Sequence, residues 1–406
     1  MSAKVALCYV KVANLGDRVI YETARYLVER ILRELGRDDV EIVEVNIGTD
    51  ESDGGKIRKG FRAAMFRLVR NTARFLKKLF QSADYARWQW HRSPVYRRYA
   101  AGEREKLLDA DLIVFAGGGL VKFHRQNFHF FIDDITAYAE SRGIPVLMNA
   151  VGVEGYDARD GECRLLKRAL NRSCVKSITT RDDLAMLKDC YVTNPSMSVK
   201  AVCDPAFWVA ETYGIGRTEN SRTIGLNVIR PKIFGEYTQP ITQKELFVLY
   251  AGIVEALLDD GWRVELFSNG ALTDTAFLKE FLSAHPSIAS DARVSAAFPE
   301  TTKEFVATIA GYARFMAVRL HSAIVGTVLG VPNVSLVWNR KQPLFGAQIG
   351  MPENFIARDG FNAGNVVRRL KAALPYEMDM EYKMSVLNSL RDGMGRWLPP
   401  AREGER

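Results

Sequence analysis

A chain of 406 residues exceeds what one ordinary hydrophobic core organises, so two domains are expected. Hydrophobic residues make up 47% and charged residues 26%, a globular composition, and no uncharged apolar run reaches the roughly 18 residues of a membrane span. The net charge of +8 is unevenly spread: Lys56 to Ala100 holds thirteen Lys/Arg against one acid, Asp84, so the remainder sums to about −4.

In chain order, "VALCYV" (5–10) reads as a buried strand, and "NLGDRVIYETARYLVERILREL" as a loop entering an amphipathic helix with Ile20, Ala24, Leu27, Ile31 and Leu32 on one face. "EIVEVNI" is the next strand, and after the basic stretch "DLIVFAGGG" is a strand running into three glycines, with a helix over "QNFHFFIDDITAYAESRG". "IPVLMNAVGV" and "SCVKSITTRDD" are strands, and "VKAVCDPAFW" closes this half. After the linker-like "ETYGIGRTENSR" (211–222) the pattern restarts with strands "TIGLNVI", "WRVELFSN", "ARVSAAF", "RFMAVRL" and "VPNVSLVW", separated by helices that include "HSAIVGTVLG". "EYKMSVLNSLRDGMGRW" is a last helix, placed to return to the first half. Alternating strands and helices predict an α/β fold of two doubly wound, Rossmann-like domains facing across a cleft, over 1–212 and 213–375, with a terminal helix and tail at 376–406 and a basic insertion at about 54–106.

The five cysteines (Cys8, Cys163, Cys174, Cys190, Cys203) are scattered and form no CxxC pair, which predicts reduced thiols and no metal site. The first residues lack the apolar core of a signal peptide, so a cytoplasmic location is expected.

Ligands of open parallel sheets sit at the carboxyl ends of the strands. Asp17, Gly117, Gly118, Gly119, Arg181 and His321 with Ser322 fall there, and Lys341 follows the strand "VPNVSLVW". The triple glycine is either a tight strand-to-helix turn or a place where backbone N–H groups approach an anion at a helix N-terminus. Arg319 lies two residues before His321, on the same face of the expected strand. A cation there favours the neutral imidazole unless an anion intervenes, and an anionic substrate would relieve that tension.

The ordered set "NLGD", "DLIVFAGGGL", "SITTRDD", "CDPAFW", "IGLNVI" and "RLHSAIVGTVLGVP", with a downstream lysine, resembles the polysaccharide pyruvyl transferase family over about residues 5–350. The resemblance implies a GT-B-like fold. It implies transfer of the pyruvyl group of phosphoenolpyruvate onto two hydroxyls of a saccharide, giving a cyclic ketal and phosphate in cell-surface or exopolysaccharide biosynthesis. No cofactor or metal is implied beyond phosphoenolpyruvate as donor substrate. By motif, the important acid falls on Asp17, the arginine on Arg181, the histidine on His321 and the lysine on Lys341. In this reading His321 is general acid or base, and Arg319, Arg181 and Lys341 bind the donor anions. Ser322 and the glycines are further substrate-binding positions, and Asp17 orients or deprotonates an acceptor hydroxyl. Arg18 stands where relatives often carry an acid, and the basic insertion is longer than usual; both bear on the acceptor.

"KIRKGFRAAMFRLVRNTARFLKKLF" (56–80) carries nine Lys/Arg and no acid around apolar positions at helical spacing, and is followed by Tyr85, Trp88, Trp90, Tyr96 and Tyr99. A basic amphipathic helix followed by aromatics over 56–100 suits an anionic membrane surface, matching the lipid-linked acceptors common for such enzymes and a peripheral place on the inner face of the membrane. An ordinary helix with a solvated basic face is the plainer alternative, and no nucleic-acid-binding motif is present. Two other functions share the architecture. A nucleotide-sugar glycosyltransferase needs a carboxylate for the ribose, for which only Asp274 offers itself. A non-catalytic saccharide- or anion-binding module would not need His321.

Overall fold

The computed structural model of the protein describes residues 3–10, 14–48, 82–124 and 126–400. The chain divides into two compact units: Met1–Val12, Ala24–Asp204 and Met384–Arg406 form the first, Ala13–Thr23 and Pro205–Lys383 the second.

In the first unit, β1 (Ala3–Tyr9), β2 (Val40–Asn46), β3 (Leu112–Phe115), β4 (Gly118–Val121), β5 (Val146–Val153), β6 (Val175–Thr180) and β7 (Ser198–Ala201) build a parallel sheet. Among the described residues its order is β2-β1-β3-β5-β6-β7, with β4 added on β5. Every residue of β5 is buried, as expected for a strand covered on both faces by helices. The connecting helices are α1 (Leu15–Glu34), whose first turns belong to the second unit, α2 (Ala83–His91), α3 (Pro94–Ala100), α4 (Phe128–Arg142) and α5 (Gly161–Leu170). α5 starts where the Asp160 carboxylate accepts from the Glu162 and Cys163 N–H groups, and α4 stops at Gly143 with φ 69°.

The glycine-rich turn differs from the sequence expectation. Gly117 and Gly118 adopt φ of 88° and 86°, a region that side-chain-bearing residues rarely enter. This swing lets β4 run on along β5, Gly118 opposite Val151, beyond the point where β3 pairs Phe115 with Met148. The turn therefore joins strand to strand. α4 begins only at Phe128, so these glycines do not open a helix and offer no helix N-terminus to an anion.

The expected basic helix at 56–80 lies outside the described residues. Of the aromatics after it, Trp90 stacks on Phe130 with centroids 4.9 Å apart, and Tyr99 meets Phe131 edge-on at 4.9 Å; both are core residues. Trp88 is half exposed, with the Arg92 guanidinium 4.1 Å above its ring. Two buried acids on α4 explain how this segment is fastened. Asp133 pairs with Arg172 at 2.6 Å and with Arg87 at 3.1 Å, and Asp134 with Arg104 at 3.1 Å.

In the second unit, β8 (Thr223–Asn227), β9 (Arg263–Phe267), β10 (Val294–Ala297), β11 (Arg314–Ala317), β12 (Asn333–Leu336) and β13 (Phe355–Ile356) form a parallel sheet, in the order β10-β9-β8-β11-β12-β13 among the described residues. Its helices of eight or more residues are α6 (Gln243–Asp259), α7 (Leu272–Ala284), α8 (Thr302–Ala310), α9 (Leu320–Val328), α10 (Lys341–Gln348) and α11 (Ala363–Ala372). Thr242 with Glu245, and Thr301 with Glu304, close reciprocal capping boxes that fix the starts of α6 and α8. The last helix, α12 (Met380–Trp397), joins the first unit: Ser385 Oγ accepts from Cys203 N at 2.9 Å, and Gly393 packs against Leu147. Among the described residues no helix is long and apolar enough to cross a membrane.

The small residues of "HSAIVGTVLG" have a packing cause. A Cβ on Gly326 would lie 2.1 Å from the Phe315 ring of β11, so α9 can lie this close only with glycine there. Gly326→Ala is expected to lower stability by about 1–3 kcal/mol through overpacking. Gly395→Ala, on α12 with no atom within 4 Å of the added Cβ, is expected to raise it by roughly 0.5–1 kcal/mol. Denaturant unfolding of the two variants checks both signs.

Candidate active site

In the second unit β8 is the strand from which the sheet winds both ways, so the crevice between the carboxyl ends of β8 and β11 is the topological switch point. The sequence expectation put Arg319 and His321 on one face of a strand. β11 instead ends at Ala317, Arg319 takes the N-cap position of α9, and His321 is in the helix's first turn. The two side chains thus leave in different directions and meet different partners.

The His321 imidazole is buried, with Nδ1 3.5 Å from Asp17 Oδ1. Its Nε2 is shielded from solvent. Asp17 is held in turn by Asn14, whose Nδ2 donates to Asp17 Oδ2 at 2.9 Å and whose Oδ1 accepts from Gly16 N at 3.1 Å. Gly16 lies directly against the histidine: a Cβ there would be 2.5 Å from His321 Cβ and 3.0 Å from Nδ1. The N-L-G-D spacing has a structural reason, because asparagine orients the acid, glycine admits the ring and aspartate faces it. Arg18, next in line, sits 3.9 Å from Glu22 on the same helix.

Arg319 reaches Asp274, a fully buried carboxylate, with Nε at 3.0 Å and Nη2 at 2.5 Å from Oδ2. Asp274 Oδ1 accepts from Arg230 N at 3.2 Å. Removing one partner of a buried pair strands the other charge, at a cost of roughly 3–5 kcal/mol. The tension expected between Arg319 and His321 is therefore relieved inside the protein, by Asp274 for the guanidinium and Asp17 for the imidazole.

Beneath these groups lies an uncharged network. Asn227, fully buried at the end of β8, accepts at Oδ1 from Val318 N (3.2 Å), Arg319 N (3.1 Å) and Ser322 Oγ (3.2 Å). Its Nδ2 donates to Phe267 O (3.3 Å) and Asn269 Oδ1 (2.8 Å). Ser322 Oγ also lies 2.9 Å from Asn269 Oδ1. Lys341 opens α10 with its N–H on Asn339 Oδ1 at 3.0 Å. The adjacent Gln342, fully buried, donates to Val318 O (3.0 Å) and Leu336 O (2.8 Å), tying this helix start to the ends of β11 and β12.

In the first unit, Arg181 follows β6, is buried, and forms an ion pair with Asp204, which is buried beyond the end of β7. Asp182 is fixed by accepting at Oδ1 from Val153 N (2.7 Å) and Thr180 Oγ1 (3.1 Å). Sequence reading missed Asp204 in the first unit, and Asn227, Asn269 and Gln342 in the second, as buried groups that hold their neighbours in place. The signal was present for Asp204 and Asn227, since "CDPAFW" and "IGLNVI" set a polar residue in an apolar run, and such a group needs a partner.

The overall likeness is to UDP-GlcNAc 2-epimerases. The enzyme from Methanocaldococcus jannaschii superposes with a TM-score of 0.56 at 13% identity, over 96% of this chain and 99% of that one. The S. aureus MnaA–UDP co-structure gives 0.55 at 11% identity over 100% of both chains. The Neisseria meningitidis enzyme bound to UDP-GlcNAc gives 0.53 at 11% identity, over 97% of this chain and 100% of that one. At such identities the likeness establishes the fold, the two Rossmann-like domains of the GT-B class. No curated protein sequence compared with the chain matches it. The sequence profile of the polysaccharide pyruvyl transferases matches residues 14–340, a span holding Asp17, the glycine turn, Arg181, Arg319 and His321. The chain belongs to the polysaccharide pyruvyl transferase family.

Proposed function

We propose that the protein transfers the pyruvyl group of phosphoenolpyruvate onto two hydroxyls of a saccharide as a cyclic ketal, for cell-surface or exopolysaccharide synthesis. The observation that carries this reading is the buried His321 held 3.5 Å from Asp17 at the sheet's switch point, in a chain of this family.

The chemistry balances as follows. A proton adds to the methylene carbon of the donor, making a cationic centre at the enol carbon. One sugar hydroxyl attacks that centre and loses its proton; the C–O bond to phosphate breaks; the second hydroxyl closes the ketal. Of the two hydroxyl protons, one balances the new methyl group and the other leaves on phosphate. His321 is the group that moves protons, because an imidazole can take up or release a proton at one ring nitrogen while the other faces a carboxylate. With Nδ1 facing Asp17, Nε2 exchanges the proton in a dry setting that strengthens electrostatic interactions.

The anions of the donor need cations. Asp17, Asp274 and Arg319 together are not net positive, so the cluster around His321 does not by itself attract a phosphate and a carboxylate. Arg319 is braced by Asp274 and offers the outer edge of its guanidinium. Lys341 supplies the main positive charge from this unit, and Ser322 is the remaining contact there.

A nucleotide-sugar glycosyltransferase is less well supported. The carboxylate it would use on a ribose, Asp274, is fully buried and engaged with Arg319.

Incubation with phosphoenolpyruvate and candidate saccharides should release phosphate only when an acceptor is present, and mass spectrometry should find a ketal adduct; phosphate-free incubations with every acceptor tried would count against the reading. His321→Ala is expected to reduce turnover by about a hundredfold or more, measured as acceptor-dependent phosphate release. Lys341→Met is expected to raise the KM for phosphoenolpyruvate roughly ten- to a hundredfold, the worth of one charge-assisted hydrogen bond, with a smaller effect on kcat.

A further inference from the structure

We infer that Asn227 and Asn269 are positioning residues that set the spacing and orientation of the His321–Asp17 pair, an inference that rests on the proton-transfer role proposed for His321. Both asparagines are fully buried. Their side-chain hydrogen bonds run to backbone groups, to Ser322 and to each other.

The orientation of the Asn227 amide is fixed by its neighbours. Val318 N and Arg319 N can only donate, so they require the oxygen of Asn227 at 3.2 and 3.1 Å. Phe267 O can only accept, so it requires the nitrogen on the other side. That nitrogen then requires Oδ1 of Asn269 at 2.8 Å, which fixes the second amide as well. A backbone-defined chain of donors and acceptors thus leaves each side chain one orientation.

The two members of the pair hang from the two ends of this chain. Asn227 receives the N–H groups of Val318 and Arg319, the last residues before α9, and with Asn269 it flanks the Ser322 hydroxyl, so the first turn of α9 carrying His321 is set by it. Asn269 accepts at its backbone oxygen from Leu15 N at 2.9 Å, the first residue of α1, two before Asp17. The histidine's helix and the aspartate's helix therefore both start from hydrogen bonds to a pair of asparagines bonded to each other. All these groups lie in the second unit. A displacement at either asparagine alters where the ring lies against the carboxylate, and a 1 Å error in a catalytic group lowers rates by up to a hundredfold.

The test uses the full chain with Asn269→Ser, a mild change, and Asn227→Ala, a severe one. Long-range ¹H–¹⁵N spectra report the ring nitrogens of the five histidines, with His321→Gln assigning the His321 signal. Kinetics follow acceptor-dependent phosphate release from phosphoenolpyruvate. Positioning predicts that folded Asn269→Ser shifts the His321 ring-nitrogen signals and lowers kcat by roughly ten- to a hundredfold, while the KM for phosphoenolpyruvate stays within about threefold. Asn227→Ala should do the same more strongly; if it fails to fold, Asn269→Ser alone decides. A folded Asn269→Ser protein with unchanged His321 signals and unchanged kcat overturns the inference, whatever its thermal stability. If the wild-type protein itself releases no phosphate, the proposed function fails, and the ring-nitrogen signals still decide whether the asparagines position His321.

Discussion

The second unit's site depends on one carboxamide. Asn227 stands at the end of the strand from which the sheet winds outward in both directions, where its side chain joins two neighbouring loops and a helix start. An aliphatic residue there would leave the Val318 and Arg319 N–H groups unsatisfied in the interior, at about 1–3 kcal/mol each, while the Phe267 carbonyl would keep its bond from Val228 N at 3.0 Å. Buried polar networks of this kind are rigid when complete, and this one lies against the first turn of α9, which carries His321.

Charge is handled by the same logic of local satisfaction. Arg319 has Asp274, Arg181 has Asp204 and Arg172 has Asp133, each acid buried. Such pairs add little net stability over apolar packing. Their value is geometric, since a planar guanidinium fixed by a buried carboxylate presents its remaining edge in one direction. Arg319 and Arg181 are each held in this way by a buried carboxylate within their own unit.

Much of this was legible in the sequence, and the failures have physical causes. Alternating apolar strands and amphipathic helices disclosed both parallel sheets, and the loop after "VALCYV" and the start of "HSAIVGTVLG" held the residues that meet. Strand ends were harder. "RFMAVRL" reads as one apolar run, yet the strand stops at Ala317 because the Val318 and Arg319 N–H groups bond a side chain instead of a neighbouring strand. The triple glycine reads equally as a strand-to-helix turn; only the φ of Gly117 and Gly118 shows that it restarts a strand on β5. Asp274 looked available to a ligand because sequence spacing cannot reveal that Arg319, 45 positions away, is its partner. Trp90 and Tyr99 read as surface aromatics beside many cations, whereas the rings of α4 that bury them lie far along the chain.

The most direct test of the proton-transfer chemistry assigned to His321 is to run the reaction in deuterated water and examine the pyruvylated saccharide by mass spectrometry and proton NMR. Protonation of the donor's methylene from the protein and solvent predicts a ketal methyl group carrying deuterium, formed at a rate that collapses in His321→Ala. A ketal methyl free of deuterium, or product formed equally fast without the imidazole, would contradict it.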